Sequence, residues 1–308
     1  MPLQLVGSDA SEEASFEGRI RAAVPALSPS EQRVALCFLE RREALVLGSA
    51  SEIAALAGAS DATVVRTARS LGFAGLADLR EAALADLSSS APTPERRLSR
   101  TLAETGDSAA SALAHVVAAH EESLDALQAP GFEAQFAAAV DLLDAASRLH
   151  VFGIGPSGMM ANYAALQFGR LGRKASALTA SGVAIADGLL GVAPGDLVLM
   201  IAYAPIYREV AVTLDQAARL NVPVVLISDS LGPFVDGLVR EILPVPRGRA
   251  GNLAMHGATL VVIEALITAL ASRSRETALA SLEDLARLRG AVDRDWLKRG
   301  VMRKSPPK

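Results

Sequence analysis

The stretch SASEIAALAGASDATVVRTARSLGF, residues 49–73, decides the fold of the first part of this chain, because it predicts two short helices joined by one glycine turn. Ser49 and Glu52 have the S-x-x-E spacing of a capping box, in which each side chain hydrogen-bonds an unpaired amide of the first turn. Gly58 can adopt the left-handed conformation that ends a helix, and Ser60 can cap the next one. The stretch predicts a helix-turn-helix, which makes DNA binding the leading hypothesis. An ordinary helical hairpin is the alternative.

Apolar residues at helical spacing predict which face of each helix is buried. The opposite face of the second helix is expected to carry polar side chains that reach base edges and phosphates. The buried faces would comprise Ile53, Leu56 and Ala57 on the first helix and Val64, Ala68 and Leu71 on the second. The outward face of the second helix would present Asp61, Thr63, Arg66, Thr67 and Ser70.

Charge adds little general affinity for DNA. Residues 1–87 hold 8 Arg and no Lys against 12 Asp and Glu, which leaves a net charge of −4. DNA-binding domains usually show a basic surface, so any basic footprint must be local, from Arg66, Arg69 and Arg80. We therefore expect a single copy of the chain to bind DNA weakly.

Length and composition predict two folded domains. The chain has 308 residues, of which 51% are apolar and only 4% aromatic, so its cores must be built from Ala, Leu and Val. No apolar run reaches the roughly 18 residues that span a bilayer, and the N-terminus lacks the pattern of a signal peptide. The single cysteine, Cys37, excludes an internal disulfide and a cysteine-rich zinc site. These features predict a cytoplasmic protein with no membrane partner, no metal and no cofactor.

A second capping box lies upstream of the helix-turn-helix. Ser28 and Glu31 have its spacing, and Pro29 occupies the favoured first helical position. They predict a helix that runs to about Leu47. Its inward face would hold Val34, Cys37, Phe38 and Leu45.

From Leu149 the pattern changes to short apolar runs that alternate with helical segments. Apolar runs without polar alternation are typical of strands buried on both faces, and helices between them indicate a parallel sheet. The five predicted strands are Leu149–Ile154, Ala175–Leu178, Leu197–Tyr203, Val222–Ser228 and Glu241–Val245. Long helical patterns flank them, over 95–128 and 132–146 before the sheet and Leu253–Leu288 after it.

These patterns predict an all-α helix-turn-helix domain followed by an α/β domain. Helices would cover both faces of a five-stranded parallel sheet, which makes a three-layer sandwich. The Ser- and Pro-rich segment SSSAPTP is the predicted linker. The predicted boundaries are a disordered start at 1–15, a helical domain at 16–87, the linker at 88–94, the α/β domain at 95–290 and a basic tail at 291–308.

A glycine-rich loop follows the first predicted strand. The sequence GIGPSG, residues 153–158, matches the dinucleotide fingerprint G-x-G-x-x-G. That fingerprint also needs an acidic residue after the second strand, and residues 173–179 contain none. What remains is a backbone that a ligand can approach closely and a helix N-terminus that attracts an anion. The predicted anion-binding residues are Gly153, Gly155, Pro156, Ser157 and Gly158; a tight turn without a ligand is the alternative.

The helix-turn-helix segment together with the strand–GxGxS–helix segment resembles the RpiR transcriptional regulators. The resemblance covers roughly residues 16–290 and implies an N-terminal DNA-binding domain joined to a sugar isomerase (SIS) domain that senses a phosphosugar. It implies that Ser157 is the serine of the first phosphate loop. It also places Ser60, Asp61, Thr63, Val64, Arg66 and Thr67 at the DNA-facing start of the recognition helix.

The chain departs from that family in the loop after the third strand. Phosphosugar-binding members usually carry S-x-S-G there, whereas this chain reads AYAPIYRE, residues 202–209. Both serines are alanine, and the glycine is a proline that has no amide to donate. Tyr203, Tyr207 and Arg208 are predicted to take over, since an arginine can bind a phosphate or a carboxylate with two hydrogen bonds. We therefore expect an effector other than an ordinary hexose phosphate; packing beneath the loop is the alternative role for the tyrosines.

Other candidate ligand-binding residues follow the fourth and fifth strands, since open α/β sheets bind ligands at the carboxyl ends of their strands. His256 and Glu264 lie eight residues apart on one helix face, where they could act as an acid–base pair or serve as polar lining or a dimer contact. The further predicted effector-binding residues are Ser228, Asp229, Arg249 and His256.

Together these features predict a transcriptional regulator, a repressor, that binds double-stranded operator DNA as a homodimer or homotetramer. A small anionic metabolite, a phosphosugar or a sugar acid derivative, would control its DNA affinity. The alternatives are a phosphosugar isomerase or lyase with a helical extension, and an interaction module that does not bind DNA. Loss of the hydroxyls from the second loop argues against an enzyme.

Overall fold

The computed structural model describes residues 16–90, 93–235 and 237–298. A helical N-terminal domain is followed by a second domain built on one five-stranded sheet. The predicted disordered start at 1–15, the centre of the predicted linker at 91–92 and the end of the predicted basic tail at 299–308 lie outside the described residues.

The N-terminal domain has its own hydrophobic core, to which each of its helices contributes. Both predicted capping boxes are present, at Ser28 with Glu31 and at Ser49 with Glu52. Phe38 and Leu45 are fully buried, as the sequence predicts. The helices are α1 Phe16–Ala23, α2 Pro29–Glu40, α3 Arg42–Leu47, α4 Ala50–Ala57, α5 Asp61–Ser70 and α6 Leu76–Ser90.

Helices α4 and α5 form the predicted helix-turn-helix. Gly58 ends α4 with φ at 57°, in the left-handed region that favours glycine. Ser60 caps α5, because its hydroxyl accepts the amide of Thr63 at 3.2 Å. One predicted core residue is wrong: Leu56 is 54% exposed and lines a cavity of about 410 Å³ together with Phe234 of the second domain. The apolar surface of α4 therefore extends beyond the core of its own domain.

The second domain has the predicted parallel sheet, with the strand order β2-β1-β3-β4-β5. Alternate residues of each strand enter two different cores. Val151, Leu199 and Leu243 pack against the helices Phe132–Ala145, Pro156–Arg170 and Gly257–Arg273, whereas Phe152 and Met200 pack against the helices Ile185–Leu189 and Arg208–Arg219. The strands are β1 Leu149–Gly153, β2 Ala175–Leu178, β3 Leu197–Ile201, β4 Val224–Ser228 and β5 Glu241–Pro244. The helices are α7 Pro94–Thr105, α8 Ala109–Ala126, α9 Phe132–Ala145, α10 Pro156–Arg170, α11 Ile185–Leu189, α12 Arg208–Arg219, α13 Gly257–Arg273 and α14 Arg275–Lys298.

Several predicted boundaries are wrong, because two predicted helices are interrupted and two helices extend further than predicted. The helical pattern over 95–128 is two helices, because Gly106 ends α7 with φ at 75° and Ser108 caps α8. The pattern over Leu253–Leu288 also breaks, at Ser274, between α13 and α14. Helix α6 continues through residues 88–90 and helix α14 through residues 291–298, so those parts of the predicted linker and tail are helical.

The sheet topology creates one preferred position for a ligand. From β1 the chain continues to β2, at one edge of the sheet. From β3 it continues to β4 and β5, towards the opposite edge, so the order in which strands are added changes direction between β1 and β3. The loops that leave the carboxyl ends of two such strands separate and open a crevice between them. In this chain they are the GIGPSG loop and the AYAPIYRE loop.

Within the described residues, no single helix has the length and apolar composition needed to cross a membrane. The consecutive helices α13 and α14 meet that test only when they are joined, and they are bent by 108° relative to each other.

Candidate functional site

The exposed face of helix α5 carries two arginines. Arg66 is 62% exposed at its side chain, and its Nε lies 3.6 Å from the Glu31 carboxylate on α2. Asp61, Arg69 and Ser70 are also exposed. Two cations and short polar groups on the second helix of a helix-turn-helix are the groups that contact phosphates and base edges.

Three of the predicted DNA contacts are buried. Thr63, Val64 and Thr67 are 7%, 0% and 0% exposed, so the prediction that the two threonines face outward is wrong. The reason is their spacing: Thr67 lies one turn after Thr63, and its hydroxyl donates to the Thr63 carbonyl at 2.8 Å. Both threonines therefore share the face of Val64, which packs into the core. Thr63 and Thr67 therefore help to position helix α5 and are not part of its exposed surface.

Two further side chains that were predicted to contact DNA are hydrogen-bonded within the protein instead. The Ser60 side chain is engaged in capping α5. Arg80 donates from its Nε to the Leu45 carbonyl at 2.8 Å and from Nη2 to the Gly48 carbonyl, so it ties α6 to the end of α3. Burial lowers the pKa of Arg80. The exposed cations of helix α5 itself are therefore Arg66 and Arg69.

A cleft of about 550 Å³ opens at the carboxyl ends of β1 and β3. This is the crevice that the sheet topology predicts. Most of its lining is apolar, and its described lining includes two arginines and one histidine but no Asp or Glu. The polar and charged residues of the lining are Thr93, Arg97, Ser157, Tyr203, Tyr207, Arg247 and His256.

The first loop brings a helix N-terminus to this cleft. Gly155 has φ at 59° and precedes Pro156 at the start of α10. Ser157 is 7% exposed, lines the cleft, and its hydroxyl has no hydrogen-bond partner within the described residues. Helix N-termini attract anions because their first amides are unpaired and carry partial positive charge. Pro156, Ser157 and the α10 N-terminus therefore lie where an anion can bind.

The glycines of this loop have mainly a steric role. A Cβ at Gly153 would overlap the Ser157 carbonyl oxygen, and a Cβ at Gly158 would lie 3.0 Å from the Gly153 carbonyl oxygen. Neither glycine lines the cleft; they let β1 and α10 approach closely enough to place Ser157 there. The sequence located the loop correctly. In the structure Gly153 and Gly158 allow close packing, whereas Pro156 and Ser157 line the cleft.

We expect Gly153→Ala to destabilise the second domain by roughly 1–3 kcal/mol, because the new methyl group would overlap backbone atoms that cannot move independently. Gly169→Ala, on the same connection, is the matched control, since nothing lies within 4 Å of a Cβ there. Urea denaturation of both variants measures the difference. Equal stability of the two variants would contradict the close packing of β1 against α10.

Tyr203 forms the wall of the cleft contributed by the second loop. Its ring is 5% exposed, and its hydroxyl lies 2.7 Å from the Thr259 hydroxyl on α13. Burial raises the pKa of Tyr203, so the phenol stays neutral. Tyr207 is half exposed at the mouth of the same cleft. Ala204 donates its amide to the Ser230 hydroxyl at 3.0 Å, so that amide is already engaged.

Arg247, from the loop after β5, extends over Tyr203. Its guanidinium carbon lies 4.0 Å from the Tyr203 ring centroid, and its Nε donates to the Asp229 carboxylate at 3.3 Å. The His256 ring contacts the Tyr203 ring edge to face, with centroids 6.0 Å apart. Burial and the neighbouring Arg247 charge lower the pKa of His256, which favours a neutral imidazole. Asp229 does not line the cleft itself but holds Arg247 in place there. His256 lines the cleft, as predicted.

Three predicted effector-binding residues lie elsewhere. Arg208 is 72% exposed and forms an ion pair with Glu81 of the N-terminal domain. Arg249 pairs with the Glu122 carboxylate on α8, with its Nε 2.9 Å from Oε2. Ser228 is 2% exposed, and its hydroxyl accepts the amides of the next turn, so it shapes the loop after β4. Each prediction followed from proximity in the chain, and the side chains point to other partners.

The suggested acid–base pair does not form in the cleft. Glu264 is exposed and accepts a hydrogen bond from the Tyr163 hydroxyl at 3.2 Å, and it does not line the cleft beside His256.

Sequence reasoning missed the contribution of helix α7. Thr93, Pro94 and Arg97 line the cleft at the start of this helix, which is the first element after the predicted linker. It also named Arg249 in the loop after β5, whereas the arginine of that loop that lines the cleft is Arg247. No local pattern marks these residues, because contact between a remote helix and the strand ends is a property of the folded chain.

A buried Ser176–His150–Asp196 chain was also missed. His150 Nε2 lies 3.0 Å from Asp196 Oδ2, and its Nδ1 lies 2.9 Å from the Ser176 hydroxyl. The order resembles a hydrolase triad, but His150 is 2% exposed and none of the three residues lines the cleft. These hydrogen bonds connect β1, β2 and the turn before β3, so the three residues have a structural role.

Two family models match the chain in the predicted order. Residues 15–90 match the helix-turn-helix domain of the rpiR family, and residues 142–269 match the SIS domain. The chain is 26% identical to the HTH-type transcriptional regulator YbbH of Bacillus subtilis, over 82% of this chain and 88% of that protein. It is 28% identical to the bifunctional protein glk of Paraburkholderia xenovorans, over 94% of this chain. The chain spans 46% of the length of that relative.

One solved structure shows the same overall fold. The NanR protein of Vibrio vulnificus, complexed with ManNAc-6P, superposes with a TM-score of 0.52 at 22% identity, over 89% of this chain and 97% of that one. The two domains and their order agree with the matched models. The chain belongs to the RpiR family, with an rpiR-type helix-turn-helix followed by a SIS domain.

Proposed function

We propose that this protein is a cytoplasmic, DNA-binding transcription regulator, a repressor, whose operator affinity is controlled by a sugar-derived anion in the cleft. The observation that carries the proposal is the presence of two separate candidate sites in one chain. Arg66 and Arg69 lie exposed on the second helix of the helix-turn-helix. Ser157 and Arg247 line a cleft at the carboxyl ends of the strands.

A homodimer or homotetramer is part of this proposal. The net charge of the N-terminal segment is negative, so two copies of helix α5 must act together to bind DNA tightly. Large apolar side chains are exposed on helix α8, where Leu113 is 67% exposed, and on helix α14, where Leu279 is 51% exposed. A second copy that covered such a surface would also supply the two-fold symmetry of a palindromic operator.

The electrostatics of the cleft favour an anionic ligand. Its described lining includes Arg97 and Arg247 but no carboxylate, and the α10 N-terminus adds partial positive charge beside Ser157. The NanR structure named above holds a phosphosugar, which supports a sugar phosphate as the ligand class. The Ala202 and Ala204 positions lack hydroxyls, which supports a ligand whose acidic groups are bound differently from those of a simple hexose phosphate.

The cleft is positioned to influence the DNA-binding domain. Thr93 caps helix α7 and Arg97 lies in its first turn, so a ligand that touches them contacts the connection between the domains. Arg208, near the end of the second loop, forms an ion pair with Glu81 on α6. A ligand changes DNA affinity only to the extent that it prefers one arrangement of the domains.

The test of DNA binding is recovery of genomic fragments by the purified full-length protein, followed by sequencing. We expect enrichment of a few fragments that share a palindromic element with half-sites about one helical turn apart. Recovery of fragments at random, with no shared element, would contradict the proposal. Transcription from a recovered fragment, with and without the protein, then separates a repressor from an activator.

We expect Ser157→Ala to weaken the response to the effector about tenfold while leaving operator affinity without effector unchanged. The variant removes one hydrogen bond to a charged group and opens only a small space. Ser272→Ala is the matched control, since that hydroxyl donates within its own helix, to the Thr268 carbonyl at 2.9 Å. Mobility shifts titrated with effector measure both quantities. An unchanged effector midpoint in Ser157→Ala would place the ligand outside the first loop.

A phosphosugar isomerase or lyase is the second candidate, favoured by one observation. His256 is a half-buried imidazole in the cleft, its pKa is lowered by burial, and a neutral imidazole can accept and donate a proton. The second loop lacks its hydroxyls, and Glu264 does not reach the cleft. Turnover of a panel of sugar phosphates by the purified protein tests this candidate directly, and His256→Gln should abolish any turnover found.

A further inference from the structure

Arg247 has a fixed orientation in the cleft. Its guanidinium lies 4.0 Å above the Tyr203 ring, and its Nε is bound to Asp229. Its side chain is only 15% exposed. A guanidinium held on one face by a ring and at one nitrogen by a carboxylate has lost most of its freedom to rotate. Less entropy is therefore lost when it binds a ligand.

The terminal nitrogens of this arginine are unoccupied. Neither Nη1 nor Nη2 of Arg247 makes a hydrogen bond to any residue in the described part of the chain, although Arg247 lines the cleft. Two parallel N–H groups in this planar arrangement match the two oxygens of a carboxylate, which is the geometry that arginine recognises best. The buried Nδ1 of His256 also has no partner among the described residues. It lies on the same aromatic wall and offers one further polar contact.

This position is separate from the α10 N-terminus. Ser157 follows β1, whereas Arg247 lies over Tyr203, which follows β3. Strands β1 and β3 are hydrogen-bonded neighbours, so their ends are about 5 Å apart across the sheet. The cleft therefore offers two separate positions for an acidic group, one at Ser157 on the α10 N-terminus and one at Arg247 over Tyr203. A simple aldose phosphate has one acidic group and would leave one of them empty.

We infer that Arg247 binds a carboxylate of the effector through its two terminal nitrogens, so that the effector is a phosphorylated sugar acid with its phosphate at Ser157. This inference rests on the proposed function of the cleft. It also accounts for the apolar second loop, because a ligand held at both ends by charge needs no hydroxyls from Ala202 and Ala204. Tyr203 then has the role of a positioning residue beneath Arg247.

Direct binding to the full-length protein tests the inference. The probes are matched pairs that differ only in the oxidation of carbon 1: glucose 6-phosphate with 6-phosphogluconate, and arabinose 5-phosphate with 5-phosphoarabinonate. Calorimetry should show at least one sugar acid phosphate binding about 10- to 100-fold more tightly than its aldose partner, as one charge-assisted pair provides. Gluconate without phosphate should bind weakly.

Variants of Arg247 then assign the preference to this side chain. Arg247→Gln should remove the 10- to 100-fold preference, so that the sugar acid phosphate binds no more tightly than its aldose partner. Arg247→Lys keeps the charge without the paired geometry, and we expect it to restore only part of the preference. Arg219→Gln, on the far end of α12, is the control for loss of a positive charge.

The outcomes separate this inference from the proposed function, because ligand binding is measured without DNA. If no sugar acid phosphate binds more tightly than its aldose partner, or if Arg247→Gln weakens both equally, the carboxylate assignment is wrong. If the preference and its loss in Arg247→Gln are found but the ligand leaves DNA affinity unchanged, the inference stands and the proposed regulation fails.

Discussion

Arg66→Ala should abolish specific operator binding while the protein stays folded. The Arg66 side chain is 62% exposed on helix α5, so its removal opens no cavity. A base contact by an arginine contributes about 1–3 kcal/mol per half-site, and a symmetric dimer loses two of them. The expected loss in affinity is therefore roughly 30-fold to 20,000-fold. Mobility shifts on a recovered operator fragment measure it, and circular dichroism checks the fold.

Arg21→Ala is the matched control for Arg66→Ala. Arg21 belongs to the same domain, is 65% exposed and pairs with Glu17 one turn away on α1. Its loss removes an equal charge from a different surface, so general attraction to phosphates changes equally in both variants. If both variants lose the same affinity, the effect is general electrostatics. If neither loses any, helix α5 is not the recognition helix.

Separation of the two domains should weaken operator binding by roughly 100- to 10,000-fold, since the effective concentration that a dimer provides would be lost. The N-terminal domain has a core of its own, in which Ile20, Phe38 and Leu79 are fully buried, so we expect the cleaved domain to stay folded. Its negative net charge gives a single copy little other attraction to DNA. A protease site inserted between residues 91 and 92 permits the measurement on one preparation.

The uncut protein with the same insertion is the control for cleavage. It must bind the operator like the parent chain, which shows that the insertion itself is harmless. Cleavage followed by a mobility shift and by sedimentation then relates affinity to assembly. Undiminished affinity after cleavage would mean that the N-terminal domain assembles without the SIS domain, and the dimerisation argument would be wrong.

Local sequence alone was sufficient for the helix-turn-helix and for the sheet. Capping boxes at Ser28 and Ser49 and the turn at Gly58 depend on residues within four positions of each other, so their signals are complete in the sequence. The strands β1 and β3 were predicted because a strand buried on both faces needs a continuous apolar run. The GIGPSG loop was located from its glycines, but they were predicted to bind an anion, and the close contact at Gly153 shows a steric role instead.

Side-chain partners across the fold could not be predicted from the sequence. The chain has several arginines near the strand ends, and only the tertiary structure directs Arg247 into the cleft, Arg208 to Glu81 and Arg249 to Glu122. Thr63 and Thr67 are polar and were placed outside, yet a threonine can bury its hydroxyl by bonding the preceding turn. The sequence determined which elements form and in what order, because those depend on near neighbours. The composition of the cleft was decided by contacts between residues up to about 150 positions apart, such as the bond from the Leu253 amide to the Thr101 hydroxyl across 152 positions.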